Sequence, residues 1–576
     1  MIFFSYQTSE QHKDKDKHKD ATNARKLRDY NDTLELVDYL SQRDPFSGNE
    51  ELRCIATGVV AMKEVNADKC KEVGEKILSS MVDKNAYEYT FSKKSQVVTL
   101  SSKTDVKCSD GTIQVDPKLL FQRLSFVATG GKYENPQSFF KFEMCSFPPA
   151  LFDSSLLLRK ANKPVLADAI WSQTKNGESV EPSGKVSYVL DGGALLHRVP
   201  WPRNATYSEI VSLYVQYVTR RYSQATIVFD GYESGPTTKD CAHQRRSGVC
   251  GPPVNFDCQM TLKLKKDVFL SNSTNKQRLI NLLGEKLQLS GCTVIHSSGD
   301  ADLQIVQAAV DSSKLGTTVL VGDDTDLLIL LCYYADLKAH DLFFIPEPKQ
   351  RSITTKRKVW DIKETACALG PETCRNILFV HAILGCDTTS ALYGLGKGQA
   401  LRKLASDDRF RNQAEIFDKA DASKDEIIAA GEKSLVLLYK GQSDDTLDSL
   451  RYAKFCQKIS TGNSFVQPEC LPPTSAAASY HSLRVYHQVQ EWKGVALPAE
   501  NWGWKLEDDK LLPVRTSLPA AHASLLEMVR CGCKTDCSTQ RCTCRKQGLE
   551  CSAACANCRG QSCCNSSQLD FSEGDE

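Results

Sequence analysis

Seven aspartates define the chemistry open to this chain: Asp191, Asp230, Asp300, Asp302, Asp324, Asp326 and Asp387. Most of them end or immediately follow a short apolar run. The runs are VSYVL before Asp191, TIVF before Asp230, CTVIHSSG before Asp300 and TTVLVGD before Asp324. Apolar runs of this length, rich in β-branched residues, read as buried strands. In an open parallel sheet, ligands bind beyond the carboxyl ends of the strands, so carboxylates from several strand ends would meet in one cleft. An anionic cluster of that density repels itself unless cations fill it, and hard oxygen ligands suit Mg²⁺ or Mn²⁺.

The elements that must position these residues follow from periodicity. Apolar residues recur at helical spacing in 209–222, 276–289 and 301–312, between the strand-like runs. That alternation predicts an α/β domain over 183–373, a parallel sheet flanked by helices with right-handed crossovers. A helical region is expected over 374–460. Upstream, residues 1–30 with their KDKDKHKD run read as a disordered, solvated tail. Residues 31–180 read as an accessory domain of unknown role, with helical spacing in 32–40 and 69–82. Downstream, 461–519 reads as a linker because QPECLPPTSAAAS is rich in Pro, Ser and Ala, although 480–492 offers one amphipathic helix. Residues 520–565 form a cysteine-rich segment, and 566–576 an acidic tail.

Composition bounds the rest. The chain has 576 residues, 41% of them hydrophobic and 25% charged, with a net charge of +1. Any pull on nucleic acid must therefore be local. The longest apolar runs, such as 377–386, are too short to span a bilayer, so no membrane partner is expected. The start, MIFFSYQ, has neither a basic flank nor a long apolar core, and no signal peptide is expected.

The carboxylate motifs resemble the flap-endonuclease/XPG-type nucleases of the wider PIN-like group. The residues are VLDGGALL around Asp191, IVFDGYESG around Asp230, GDADLQIVQ around Asp300 and Asp302, VGDDTDLLIL around Asp324 and Asp326, and LGCDTTSALYGLGKGQAL around Asp387. They stand in the family's order over about residues 183–410. The resemblance implies a PIN-like sheet followed by a helix-hairpin-helix-type region, and carboxylates that hold two divalent ions. Two ions about 4 Å apart can activate water, neutralise phosphoryl charge and stabilise the leaving oxygen. Asp191, Asp230 and the Asp300/Asp302 pair would hold one ion. Asp324, Asp326 and Asp387 would lie near the other, some acting through water. Asp323 ranks below them, because neighbours on extended chain point to opposite sides. Two features depart from the family. It carries glutamates where this chain has Asp300 and Asp302, and its reacting domain begins at the chain terminus rather than after roughly 180 residues.

Supporting groups come from the same resemblance. Basic residues after the second carboxylate motif approach the scissile phosphate in the family, which points to Arg245 and Arg246, with Lys239 also on the nucleic acid; Arg presents a planar fork to phosphate. His243 is a lone histidine in a loop. The basic stretch 263–278 lies where the family places its substrate arch, and reads equally as a charged helix face. Gly394 and Gly396 permit close approach of backbone N–H groups to a phosphate, with Lys397, Arg402 and Lys403 adding charge. The resemblance to a helix-hairpin-helix turn implies salt-sensitive duplex contacts there.

The cysteine run is the second signal. Ten of 24 cysteines lie between Cys531 and Cys564. A segment this short cannot bury a core of its own, so metal must supply folding energy, and thiolates at this density select zinc. The run resembles the tesmin-like CXC domain and the trinuclear clusters of pre-SET modules. Three tetrahedral ions need twelve ligand slots, which nine cysteines supply if three bridge: Cys531, Cys533, Cys537, Cys542, Cys544, Cys551, Cys555, Cys558 and Cys563, with Cys564 spare. Resemblance to the CXC family implies DNA binding, through Lys534, Arg541, Arg545 and Lys546; Arg541 stands where such domains often carry tyrosine. The whole predicts a two-metal-ion endonuclease on structured DNA, in the nucleus, with a zinc-binding DNA-targeting tail. The alternative is a catalytically inactive, nuclease-fold DNA-binding, chromatin or transposon-derived protein.

Overall fold

A computed structural model describes residues 23–41, 70–83, 105–108, 111–114, 116–130, 135–174, 182, 184–231, 236–239, 251–297, 299–346, 358–460, 466–507, 510–534, 536–547, 549–552, 555–558 and 563–565. The chain divides into two units. The smaller comprises residues 1–84, 199–220 and 249–289, and the larger 85–198, 221–248 and 290–576. In the smaller unit, helices Asn23–Ser41 and Cys70–Met81 carry the two N-terminal helical patterns. Its aromatic residues pack together: Tyr207 stacks on Phe256 with ring centroids 3.9 Å apart, and Phe269 closes on both rings. The basic stretch 263–278 lies here, in helix Lys266–Leu270 and the start of helix Ser273–Leu289.

The larger unit holds the sheet. Strands β1 (Asp105–Cys108) and β2 (Gly111–Gln114) form a separate antiparallel pair. The main sheet contains β3 (Ser187–Asp191), β4 (Thr226–Phe229), β5 (Thr293–His296), β6 (Thr318–Val321), β7 (Leu342–Ile345) and β8 (Trp360–Asp361). Their spatial order is β5-β4-β3-β6-β7-β8. All neighbours pair parallel except β7 with β8, which run antiparallel at the edge. The chain winds one way from β3 through β4 to β5 and then returns to add β6 and β7 on the other side. The switch point, where α/β sheets place their ligands, therefore falls between β3 and β6. Register aligns the strand ends there: Asp191 pairs with Val228, and Leu190 with Val321. Strands β6 and β7 are buried along their length, as expected of parallel strands covered on both faces.

Helices begin and end where local chemistry dictates. Asp324 caps helix Thr325–Tyr334, accepting the Asp326 N–H. Helix Ile362–Leu369 stops at Gly370, whose φ of +81° suits glycine, and Pro371 opens helix Pro371–Ile383 without losing a needed N–H. Ser423 and Glu426 form a capping box on helix Lys424–Leu438.

Three sequence expectations change here. The boundary near residue 180 does not separate an accessory domain: Leu151, Phe152, Leu158, Leu166 and Ile170 share one core with Val189, Leu320 and Leu328 of the sheet layer. Nor does 461–519 behave as a linker over its described residues. Helix Ser475–Trp492 is buried on nearly every face, including His481, Arg484, Gln488 and Gln490. Three of these polar side chains find backbone carbonyls inside: His481 meets the Ile383 carbonyl at 2.9 Å, Arg484 donates to Gly503 and Val514 carbonyls, and Gln490 donates to the Phe417 carbonyl. Buried polar groups with partners cost little, so this helix needs no wide apolar stripe to be internal. The disordered tail expected over 1–30 is helical from Asn23 onward, within helix Asn23–Ser41, while residues 1–22 and the acidic tail over 566–576 lie outside the described residues.

Candidate metal centre

Strand ends and helix starts bring the seven aspartates together at the switch point. Asp191 closes β3 and accepts the Ala194 N–H at 3.1 Å. Asp230 follows β4 and accepts the Ala301 N–H at 3.1 Å. A Cβ added at Gly193 would lie 3.2 Å from Asp191 Oδ1 and 3.4 Å from Asp230 Oδ2, so these carboxylates face each other across a glycine. A Cβ added at Gly322 would meet Leu327 at 2.7 Å and the Asp191 side chain at 3.4 Å. Both glycines let the acids approach.

Three of the other acids arrive at helix N-termini, while Asp387 follows the end of helix Pro371–Ile383. Asp302 is the first residue of helix Asp302–Ser313, while Asp324 and Asp326 begin helix Thr325–Tyr334. Oxygens of Asp324, Asp326 and Asp387 lie within 4.8 Å of one another. An octahedral ion with oxygens at about 2.1 Å spans roughly 3 Å between adjacent ligands and 4.2 Å across, so this triad fits one hard cation. Asp323 turns away and pairs with Arg198, as alternation along extended chain predicts.

Two lysines already neutralise part of the cluster. Lys163 Nζ lies 3.3 Å from Asp324, 2.8 Å from Asp326 and 3.1 Å from Asp387. Lys239 Nζ lies 2.6 Å from Asp300 and 3.2 Å from Asp302. Burial opposes both ammonium charges, but the surrounding carboxylates overcome it and hold each lysine well above its usual pKa.

The acids diverge in proton affinity. Burial, then the charges of Asp230 and Asp324, push the Asp191 carboxyl up to about 7, against the backbone N–H groups that favour its anion. Burial and Asp300 hold Asp302 well above the usual carboxylate range, and burial with Asp326 raises Asp324. Asp326 goes the other way: although burial alone would raise it, Lys163 and His381 hold it well below that range. The charges of Asp230 and Asp324 act on Asp191, and those of Asp324 and Asp326 on Asp302, which marks one electrostatic site.

A buried relay stands behind Asp326. His381 Nε2 is 2.7 Å from Asp326 Oδ1, and Lys397 Nζ is 2.9 Å from His381 Nδ1 and 2.6 Å from the His381 carbonyl. Burial and Lys397 lower His381 to about 4, so the imidazole is neutral at pH 7. With Nδ1 accepting from Lys397, Nε2 carries the proton and donates to Asp326. Burial lowers Lys397 itself to about 7.

Some expected contacts land elsewhere. Lys397 is 3% exposed and committed to His381, so it offers no surface ammonium to phosphate. Lys239 likewise faces carboxylates. Gly394, with φ of +77°, Gly396 and Arg402 are exposed, whereas Lys403 pairs with Asp407 at 3.1 Å. Arg245, Arg246 and His243 lie outside the described residues. Sequence reasoning missed Lys163, His381 and Glu491. Glu491 ends the buried helix Ser475–Trp492, and burial together with Asp300 raises it to about 7.

The cysteine tail forms its own cluster. Three groups of four sulfurs each gather within 4.8 Å: Cys531, Cys537, Cys542 and Cys551; Cys531, Cys551, Cys555 and Cys558; Cys537, Cys551, Cys558 and Cys563. Sulfur pairs lie 3.8 Å (Cys531–Cys537), 3.9 Å (Cys531–Cys558) and 3.7 Å (Cys542–Cys551) apart. A tetrahedral zinc with sulfurs at about 2.3 Å requires edges of about 3.8 Å, whereas a disulfide would need about 2.05 Å. The donor set therefore fits shared metal ions. Cys533 and Cys544 lie beside these groups, with Cys544 Sγ 3.4 Å from Cys555 Sγ. Cys563 joins a group, while Cys564 is exposed and donates to the Asp536 carbonyl at 3.2 Å. Lys534, Arg541 and Lys546 are exposed, and Arg545 folds back onto the Ser538 carbonyl.

A family model described as a domain of unknown function (DUF8702) matches residues 3–143. No relative of curated function matches the chain. Among solved structures, similarity is found to a eukaryotic junction-resolving enzyme, GEN-1, bound to cesium, at 14% identity and a TM-score of 0.26, covering 53% of this chain and 65% of that one. A bacteriophage T5 flap endonuclease in complex with DNA and metal ions gives 10% identity and a TM-score of 0.23 over 54% of this chain and 97% of that one. The Holliday junction-resolving enzyme GEN1 with product DNA and Mg²⁺ gives 12% and 0.23 over 58% and 70%. The chain thus spans just under two thirds of the first enzyme's length. Overlap at these scores says nothing by itself about activity.

Proposed function

We propose that this protein is a metal-dependent nuclease that hydrolyses phosphodiester bonds in structured DNA, with a zinc-binding tail that targets DNA and work placed in the nucleus. The observation that supports this reading is the meeting of seven carboxylates, spread over residues 191–387, at the switch point of one parallel sheet. Asp191, Asp230, Asp300, Asp302, Asp324, Asp326 and Asp387 would hold the divalent cations. Bound there, such ions supply a nucleophile at neutral pH and neutralise charge on the transferring phosphoryl group.

The chain's own residues prepare that site. The neutral His381 fixes one oxygen of Asp326, and Lys163 fixes the other. Lys239 restrains Asp300 and Asp302 by placing its ammonium against both carboxyl groups. The exposed Gly394–Gly396 turn and Arg402 would grip the duplex backbone without reading sequence, and the exposed cations of the cysteine tail would add to it.

Incubating the purified full-length chain with flap, hairpin and single-stranded DNA in Mg²⁺ or Mn²⁺ tests the proposal. Metal-dependent cutting is expected, falling at least about 100-fold in Asp230→Asn and in Asp324→Asn, while DNA affinity is kept. Cutting that survives both substitutions overturns the site. Salt-sensitive binding with no metal-dependent cutting favours the catalytically silent reading instead.

A further inference from the structure

Lys163 reaches the carboxylate cluster from outside the sheet. It immediately precedes helix Pro164–Trp171, whose Leu166 and Ile170 are fully buried. That helix also lies close to helix Lys397–Ser406, since a Cβ added at Gly398 would stand 3.3 Å from Ala169 Cβ. Its backbone is thereby fixed, and its ammonium is delivered rather than drifting in from a surface. Among the described residues, the one group of three or more carboxylates gathered tightly enough to share one ion is Asp324, Asp326 and Asp387. These are the three that Lys163 contacts, at 3.3, 2.8 and 3.1 Å.

Both oxygens of Asp326 are engaged, Oδ2 by Lys163 and Oδ1 by His381. Asp324 Oδ1 in addition accepts the Asp326 N–H that caps its helix. An incoming ion at this triad would have to strip a lysine and a histidine from a buried carboxylate. Breaking that buried ion pair would leave the Lys163 ammonium beside the incoming cation and without its carboxylate partners, which is strongly unfavourable. Asp191 and Asp230 face each other at the other position.

We propose that Lys163 is a built-in cation that takes the place of one of the two metal ions, so that the cluster binds a single divalent ion at Asp191 and Asp230. This rests on the metal-dependent reading above. A two-ion site with a protein ammonium in one position keeps a positive charge beside the reacting phosphate and needs one fewer ion from solution.

Mn²⁺ binding to the full-length, zinc-loaded chain without DNA, measured by calorimetry and electron paramagnetic resonance, tests it. One Mn²⁺ is expected in the wild type, two in Lys163→Met, and one in Lys163→Arg, which keeps the charge. Adding Asp324→Asn to Lys163→Met should return the count to one. Circular dichroism establishes that each variant is folded, and Lys163→Arg keeps the comparison informative if Lys163→Met is not. Two ions in the wild type or in Lys163→Arg, or one in Lys163→Met, overturn the lysine proposal and leave the nuclease reading standing. No ion in any folded variant overturns both.

Discussion

His481 sits wholly inside the larger unit, 2.9 Å from the Ile383 carbonyl, and burial with Arg484 lowers it to about 3. The unfolded chain would protonate it near its ordinary 6.5. Between about pH 3 and 6.5 the unfolded state therefore binds the extra proton, and stability is lost as pH falls through that window. The single residue accounts for about 2 kcal/mol between pH 8 and pH 5. Denaturant unfolding at both values should show this loss in the wild type and a smaller one in His481→Gln; an unchanged pH slope would contradict the assignment. At this scale the sequence was informative about anions and silent about their partners. The aspartates were legible because each ends an apolar run or opens a helix. Lys163 was not, because KPVLADAIW reads only as a helix start, and it meets Asp324 across 161 positions of chain. Lys397 was read as a surface charge because a basic residue after a Gly-rich turn carries no mark of burial.

Among the elements, the strands were visible as apolar runs and the helices as periodic ones, since each buries apolar side chains at its own characteristic spacing. Helix Ser475–Trp492 was half legible: the pattern announced a helix but its preceding Pro and Ser suggested a linker. Its polar residues are internal because carbonyls of Ile383, Phe417 and Gly503 meet them, and such partners have no local sequence signature. The cysteine segment was legible as a metal cluster from spacing alone, though which sulfurs share an ion was not. Seven cysteines make up the three groups, and Cys531, Cys537, Cys551 and Cys558 belong to more than one. Arg123, buried in helix Pro117–Thr129, reaches the Glu550 carbonyl and Ser552 hydroxyl of this tail. If metal supplies the tail's folding energy, chelation should expose its thiols to a thiol reagent together, with release of bound zinc. Arg123→Ala should speed that exposure. Thiols that react equally fast before and after chelation would contradict a metal-held tail.

For the molecule as a whole, the expected order of strands and carboxylates and the expected division into domains had different outcomes. Sheet order follows from short-range rules: parallel strands, right-handed crossovers and ligands at the switch point. Domain division does not, because residues 147–171 join the sheet's core from far upstream, and residues 199–220 and 249–289 leave it for the smaller unit. Composition changes little across either boundary, so nothing local marked them. The account stands on the carboxylates being a cage for cations rather than a set of caps. Anomalous diffraction from crystals of the full-length protein grown in Mn²⁺ tests that most directly. A manganese peak bonded to Asp191 and Asp230 is expected; Mn²⁺ at millimolar concentration with no peak at any of the seven aspartates would contradict it.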